Sequence, residues 1–230
     1  MTRARGGAHE TPMQDEVFLA ELDALIGARL NALSAEAELG GATQETPVAK
    51  LLEMALRKEL EASEEAAMWM TTEADVDVKL ALARQCGDEA KHYRLIEKRL
   101  GELGVATEAL APLADGYTPM FRYLAGLETT VERVAAGPFA REALAMSLNE
   151  AFIRYCEARG DTATARLYRE QIQPDETHHH GLGRALLGKL AKSPEDRERA
   201  RRAAERTLEI AEELQQIVRL RRGISCAPGC

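Results

Sequence analysis

Aromatic residues make up only 4% of this 230-residue chain, and extended runs of β-branched residues are missing. Alanine, leucine, glutamate and arginine dominate instead, and this composition predicts helices almost throughout. No apolar run approaches the ~20 residues that cross a bilayer, so we expect no transmembrane helix and no membrane partner. The first residues are partly basic but have no apolar stretch behind them, unlike a secretory signal. We therefore expect a cytoplasmic protein.

Cysteine is scarce as well. Four cysteines in 230 residues, two of them inside predicted helices, do not resemble the framework of a disulfide-rich domain. The net charge of −8 and the pI near 5.3 argue against nucleic acid or an anionic membrane as the main partner. RNA stays only as a minority interpretation of the arginine-rich stretch 197–202. The length suits one large domain, or one domain with extensions.

The pattern Asp-Glu-x-x-His occurs twice in the chain. Its two copies begin at Asp88 and Asp175. Residues three apart on a helix lie on one face, so each copy can bind one ion through a glutamate and a histidine. These pairs are Glu89 with His92, and Glu176 with His179. Carboxylate oxygens and imidazole nitrogens suit a divalent transition metal such as iron or manganese, so two copies predict a metal site built from two halves.

Periodicity, glycine and proline predict seven helical segments. They span about 14–36, 47–71, 74–101, 119–135, 138–159, 162–191 and 194–222. We expect Gly137 and Pro138 to break one helix and start the next, and Asp161 to cap the sixth. This gives an N-terminal extension with one helix (1–46), a central bundle (47–191), and a C-terminal helix with a flexible tail (192–230). The tail contains Cys226 and Cys230, whose role the sequence leaves open.

The four central helices form two predicted antiparallel hairpins, 47–71 with 74–101 and 138–159 with 162–191. The long connection between them allows the second hairpin to return against the first. The sequence therefore predicts an all-α fold, a four-helix bundle with one long crossover and extra helices at both ends. Both Asp-Glu-x-x-His copies lie on the second helix of their hairpin. Each needs a carboxylate from the first helix at the same height.

Glu59 is the candidate in the first hairpin, because it lies in an apolar stripe that faces the bundle interior. A carboxylate there needs a partner, since a lone buried charge is costly or takes up a proton. A metal ion would be such a partner. Glu61, Glu64 and Glu65 fall elsewhere on the helical wheel, and we expect them at the solvated surface.

Two glutamates compete in the second hairpin. Glu150 lies near the middle of its predicted helix, as Glu59 does, and shares a face with apolar residues. Glu142 lies in the first turn after Pro138, at a height that suits Glu176 about as well. We favour Glu150 and keep Glu142 as the alternative.

This ligand set resembles that of the ferritin-like di-iron carboxylate superfamily over residues 47–191. The aspartate before each Glu-x-x-His resembles the oxygen-activating members most, which include tRNA and quinone hydroxylases and multicomponent monooxygenases. In these members the aspartate accepts a hydrogen bond from the histidine of the opposite half. The resemblance thus implies that Asp88 holds His179 and that Asp175 holds His92. The spacing from Glu150 to Glu176 is shorter than is common in the family, and Glu142 would restore it.

The resemblance also implies a function. We expect a di-iron oxygenase or oxidase that holds two iron ions, with a manganese–iron pair as the variant. It would use O₂ and an external electron donor on a substrate that the sequence does not identify. Iron handling or peroxide scavenging is the alternative function, and a metal-free helical interaction protein is the second alternative. A homodimer is left open.

Overall fold

The computed structural model describes residues 10–39, 46–222 and 228–229. Within these ranges the chain forms seven helices and no strand. Five are α1 (Glu10–Leu39), α2 (Val48–Thr72), α3 (Val76–Glu102), α4 (Pro119–Ala125) and α7 (Pro194–Arg222). The other two each contain a π-helical segment. Helix α5 joins Thr130–Val134, the π segment Ala135–Arg141 and Glu142–Glu157, and α6 joins Thr162–Leu167, the π segment Tyr168–Ile172 and Gln173–Leu190.

The predicted fold class is confirmed. Helices α2 and α3 form one antiparallel hairpin, α5 and α6 form the other, and the long connection 103–129, which carries α4, crosses between them. The α2–α3 turn is held by two acids. Asp75 caps α3 by accepting a hydrogen bond from Val78 N at 3.1 Å. Glu73 accepts from Ala74 N and, through its second oxygen, from Thr130 Oγ1 at 2.8 Å, which ties the turn to the start of α5.

The predicted break at Gly137 and Pro138 is wrong. Proline has no N–H to donate, and an α-helix normally ends or kinks there. Here the helix continues in a π register over Ala135–Arg141, which accommodates Pro138 without a break. Close packing holds this segment on both sides. A Cβ at Gly137 would lie 2.7 Å from the Trp69 ring, and one at Gly183 would lie 2.7 Å from the Pro138 carbonyl carbon.

A second π segment interrupts α6 over Tyr168–Ile172, just before Pro174. The predicted cap of this helix is confirmed, because the Asp161 side chain accepts from Thr164 N at 3.0 Å. Each π segment therefore ends shortly before an acid that faces the bundle interior. These are Glu142 in α5 and Glu176 in α6.

Two apolar clusters form the core. The larger unites the terminal helices with the bundle, through residues such as Leu22 of α1, Phe139 of α5 and Leu208 of α7. The smaller lies at the other end of the bundle and contains Leu52 and Phe152. A layer of buried acids and histidines lies between them along α2 and α3, as the positions of the buried residues on these helices show.

The end of the chain also contacts the bundle. Cys226 and Cys230 lie outside the described residues, but Pro228 and Gly229 are buried. Lys58 Nζ donates to the carbonyl oxygens of Pro228 and Gly229, at 3.1 and 3.3 Å. Gly229 N donates to Asn149 Oδ1 at 2.8 Å, so this dipeptide bridges α2 and α5.

None of the helices in the described ranges is long and apolar enough to span a membrane.

Candidate metal centre

Six buried acids and histidines from all four bundle helices converge between the two apolar clusters. They are Glu59 from α2, Glu89 and His92 from α3, Glu142 from α5, and Glu176 and His179 from α6. None is more than 2% exposed. Their ligand atoms form two groups, each within 4.8 Å: Glu59, Glu89, His92 and Glu176, and Glu89, Glu142, Glu176 and His179. Two acids, Glu89 and Glu176, belong to both groups.

The shared acids divide their oxygens between the two histidines. Glu89 places Oε2 3.3 Å from His92 Nδ1 and Oε1 3.5 Å from His179 Nδ1. Glu176 places Oε1 3.9 Å from His92 Nδ1 and Oε2 3.6 Å from His179 Nδ1. A carboxylate that offers one oxygen to each of two positions has the geometry of a bridge between two ions.

The other two acids each belong to one half. Glu59 Oε2 lies 3.3 Å from His92 Nδ1, and Glu142 Oε2 lies 3.6 Å from His179 Nδ1. The centre thus has a first half, with Glu59 and His92, and a second half, with Glu142 and His179. Each half has one acid and one imidazole of its own and shares the same two carboxylates.

The preference for Glu150 over Glu142 is corrected. The Glu150 side chain is 53% exposed and forms an ion pair with Arg154 at 3.2 Å. Because α5 continues through Pro138, Glu142 lies deep inside a long helix rather than in a first turn. Eight residues at 3.6 per turn rotate the helix face by roughly 80°, so Glu150 turns away from the interior when Glu142 faces it.

The two aspartates contact the histidines as predicted. His92 Nε2 lies 3.1 Å from Asp175 Oδ2, and His179 Nε2 lies 3.2 Å from Asp88 Oδ2. Each hydrogen bond crosses from one hairpin to the other. A carboxylate can only accept, so it fixes a proton on Nε2 and makes Nδ1, which faces the centre, the nitrogen that could bind a metal ion in place of a proton. Lys91 donates to Asp175 and lies 3.5 Å from Asp88, so it links the two aspartates.

Burial and neighbouring charges shift the pKa values of the two shared acids and of both histidines. Burial raises the pKa of Glu89 to about 8 and the pKa of Glu176 well above its ordinary value, and neighbouring acids add to both shifts. Burial disfavours the imidazolium forms, but the surrounding carboxylates outweigh it and raise the pKa of His92 to about 12 and that of His179 to about 9. Protons therefore compete with metal cations for this centre.

The second half has protein donors that the first half lacks. Gln85 Nε2 donates to Glu142 Oε1 at 2.5 Å, and Arg141 Nη2 donates to the same oxygen at 3.4 Å. Burial opposes ionisation of Glu142, but the His179 imidazole 3.6 Å away and the Arg141 charge hold its pKa below the usual range. Neither oxygen of Glu59 accepts a hydrogen bond, and both are fully buried.

Two acids expected at the surface are buried. Glu65 is 1% exposed and accepts from Arg141 Nη1 at 2.5 Å, and burial raises its pKa to about 7. Glu61 is 6% exposed and accepts from Thr118 N at 2.9 Å. Helical periodicity missed both because their partners lie 76 and 57 residues away. Glu64 is half-buried, and it accepts an exposed hydrogen bond from the Tyr117 hydroxyl.

The buried acids and histidines could hold a divalent metal ion. Four ionised carboxylates carry a charge of −4, which two divalent ions would neutralise. The buried oxygens of Glu59 accept no hydrogen bond, and His179 Nδ1 has no hydrogen-bond partner, so both side chains lack what a cation would supply. Mixed oxygen and nitrogen ligands suit iron or manganese better than calcium or magnesium.

Sequence reasoning missed the contact between the chain end and the first half. A Cβ at Gly229 would lie 2.9 Å from Glu59 Oε1. Its φ of +89° is also in the region that favours glycine. The backbone of Gly229 thus approaches a candidate ligand more closely than a side-chain-bearing residue could.

Comparison with known proteins identifies the fold. No family model matches the chain, and no curated protein sequence matches it. One similar solved structure is a domain of unknown function with a heme oxygenase-like fold from Shewanella denitrificans. The TM-score is 0.66 at 11% sequence identity, over 90% of this chain and 96% of that chain. The chain therefore has an all-helical fold of the heme oxygenase-like kind.

Proposed function

We propose that this protein binds two iron ions in the centre and uses them, with O₂, to oxidise an organic substrate. The observation that carries the proposal is the division of the Glu89 and Glu176 oxygens between the two histidines. That arrangement suits a pair of ions better than a single ion. A manganese–iron pair would fit the same ligands.

Glu59 and His92 would hold one ion, Glu142 and His179 would hold the other, and the two shared acids would contact both. Two neighbouring redox-active ions held there would supply redox chemistry toward dioxygen. Asp175 and Asp88 fix the imidazole orientation through Nε2, so Nδ1 faces the centre.

The surroundings support oxidation chemistry in three ways. All six side chains are buried, which keeps bulk water away from a reactive centre. Lys91 neutralises part of the charge of Asp88 and Asp175, so neither aspartate needs to take the proton from its histidine. Arg141 and Gln85 hold Glu142 in place before any ion binds.

The proposal is tested by anaerobic addition of Fe²⁺ to metal-free protein, followed by O₂. We expect about two iron ions per chain, a ferric absorption after oxygen, and no further oxidation when more Fe²⁺ is added without an electron donor. Continued oxidation of many Fe²⁺ ions per chain would contradict the proposal in favour of iron handling. A chain that binds no Fe²⁺ would contradict both functions. Glu150→Ala is the control, because it removes an exposed acid and should leave all three results unchanged.

A further inference from the structure

One cavity lies beside the centre but contains none of the six candidate ligands. It lies between α2, α4, α5 and α7, is partly open to solvent, and has a volume of about 130 Å³. Its wall is mostly hydrocarbon and includes Met54, Phe121, Leu124, Leu144, Leu148 and Leu214. A comparable dry cavity of about 150 Å³, lined by apolar side chains, binds one benzene molecule. This volume therefore suits one ring or a short alkyl chain.

The charged residues in the wall already have partners. Glu65 and Arg141 form a buried ion pair, and Glu61 pairs with Arg57 at 3.1 Å. Lys58 donates to the backbone carbonyls of the chain end. A charged ligand would have to break one of these contacts or remain unpaired in an apolar space, which is costly. The wall thus selects an uncharged ligand.

Arg141 places this cavity next to the second half of the centre. It forms part of the wall, and its Nη2 donates to Glu142 Oε1 at 3.4 Å. Arg141 therefore contacts both the cavity and a candidate metal ligand. A molecule in the cavity would contact the group that positions Glu142.

From these observations we propose that the cavity binds the hydrocarbon part of an uncharged substrate, as a ring or short alkyl group. This inference rests on the proposed function, since it names the substrate class of the same centre. It also makes Leu148 and Leu214 determinants of substrate size.

The first test measures binding of four small aromatic compounds to metal-free protein by calorimetry. Toluene and benzyl alcohol should bind, whereas benzoate and benzylamine, with the same ring and a charge, should bind at least about tenfold more weakly. Leu148→Phe and Leu214→Phe each fill the cavity and should each weaken toluene binding at least about tenfold. Leu80→Phe makes the same change at a position that is 64% exposed and should bind as the wild type does.

Equal binding of charged and neutral compounds would overturn the inference, as would normal toluene binding by both filled variants. Two positions on different helices keep the test valid if one variant fails to fold.

The second test asks whether a compound bound in the cavity lies close to the metal centre. In protein loaded with Co²⁺, benzyl alcohol should shift the visible cobalt bands, and in Leu148→Phe it should not. Binding without any spectral change would overturn the substrate role. If benzyl alcohol binds but the protein takes up no Co²⁺ or Fe²⁺, the proposed function fails, and the substrate role fails with it. Normal metal uptake without toluene or benzyl alcohol binding refutes only the cavity inference.

Discussion

The two halves of the centre have the same ligand types but different surroundings. In the second half, Glu142 accepts hydrogen bonds from Gln85 and Arg141. In the first half, Glu59 accepts none, and the backbone of Gly229 lies beside it. Both histidines, in contrast, have equivalent hydrogen bonds to aspartates. Their Nδ1 atoms differ, however, because His92 Nδ1 hydrogen-bonds with Glu89 and His179 Nδ1 has no hydrogen-bond partner.

This difference indicates where metal binding and folding would be coupled. A buried carboxylate without a donor costs free energy until a cation or proton reaches it. Gln85 and Arg141 donate to Glu142, so the second half would be organised before a metal ion binds. Glu59 has His92 Nδ1 3.3 Å away but accepts no hydrogen bond, so the first half would depend more on a metal ion. Four predictions follow the comparison from its largest expected effect to its smallest.

The largest effect should come from the shared acids. Glu89→Ala and Glu176→Ala should each remove most of both metal ions, because each acid faces both halves. Metal content per chain after dialysis measures this. Glu150→Ala changes an exposed glutamate of α5 and should retain the wild-type content. If Glu89→Ala loses only one ion, Glu89 is not shared.

Substitutions of the two unshared acids should have similar effects on metal content but different effects on the free energy of unfolding. Glu59→Ala and Glu142→Ala should each lose one ion. In metal-free protein, however, Glu142→Ala should lower the free energy of unfolding by about 1–3 kcal/mol, because Arg141 and Gln85 lose a buried acceptor. Glu59→Ala should cost less, since the facing His92 Nδ1 keeps its hydrogen bond with Glu89. Urea unfolding measures both, and equal destabilisation by the two variants would contradict the asymmetry.

The aspartates should have a moderate and equal effect. Asp88→Ala and Asp175→Ala should each weaken metal binding about 10- to 100-fold, because each removes the group that orients one histidine. Competition with a coloured chelator measures the affinity. Glu64→Ala, which removes a half-buried acid outside the centre, should change stability by no more than about 0.5 kcal/mol and leave metal affinity unchanged. An unchanged affinity in both aspartate variants would remove the support for oriented histidines.

The smallest effect should come from the chain end. Gly229→Ala places a Cβ 2.9 Å from Glu59 Oε1 and should speed metal loss from the first half a few-fold. Gly160→Ala is a matched control, because Gly160 also has a positive φ, of 76°, but open space around its Cβ position. Stopped-flow chelation measures the rates. Equal rates in both variants would mean that the chain end does not affect Glu59.

Sequence reasoning predicted the parts of the centre that depend on local spacing. The three-residue spacing of one helix turn was enough to predict the pairs Glu89 with His92 and Glu176 with His179. An apolar stripe on the same helix was enough to predict Glu59. The resemblance to a known ligand set then gave the crossed contacts of the two aspartates.

The errors have a common physical origin in tertiary structure. The continuation of α5 through Pro138 depends on packing against Trp69 and Gly183. A reader of the sequence who does not know that the helix continues has no reason to prefer Glu142 to Glu150. Burial of Glu65 depends on Arg141, which is distant in sequence. No local pattern encodes either contact.

The central claim is that two ions lie between His92 and His179 and share Glu89 and Glu176. Anomalous diffraction from crystals of the iron-loaded protein tests this most directly. We predict two peaks about 3.5–4 Å apart, one beside each Nδ1, with both shared carboxylates contacting both peaks. A single peak, or peaks bound at the protein surface, would contradict the claim.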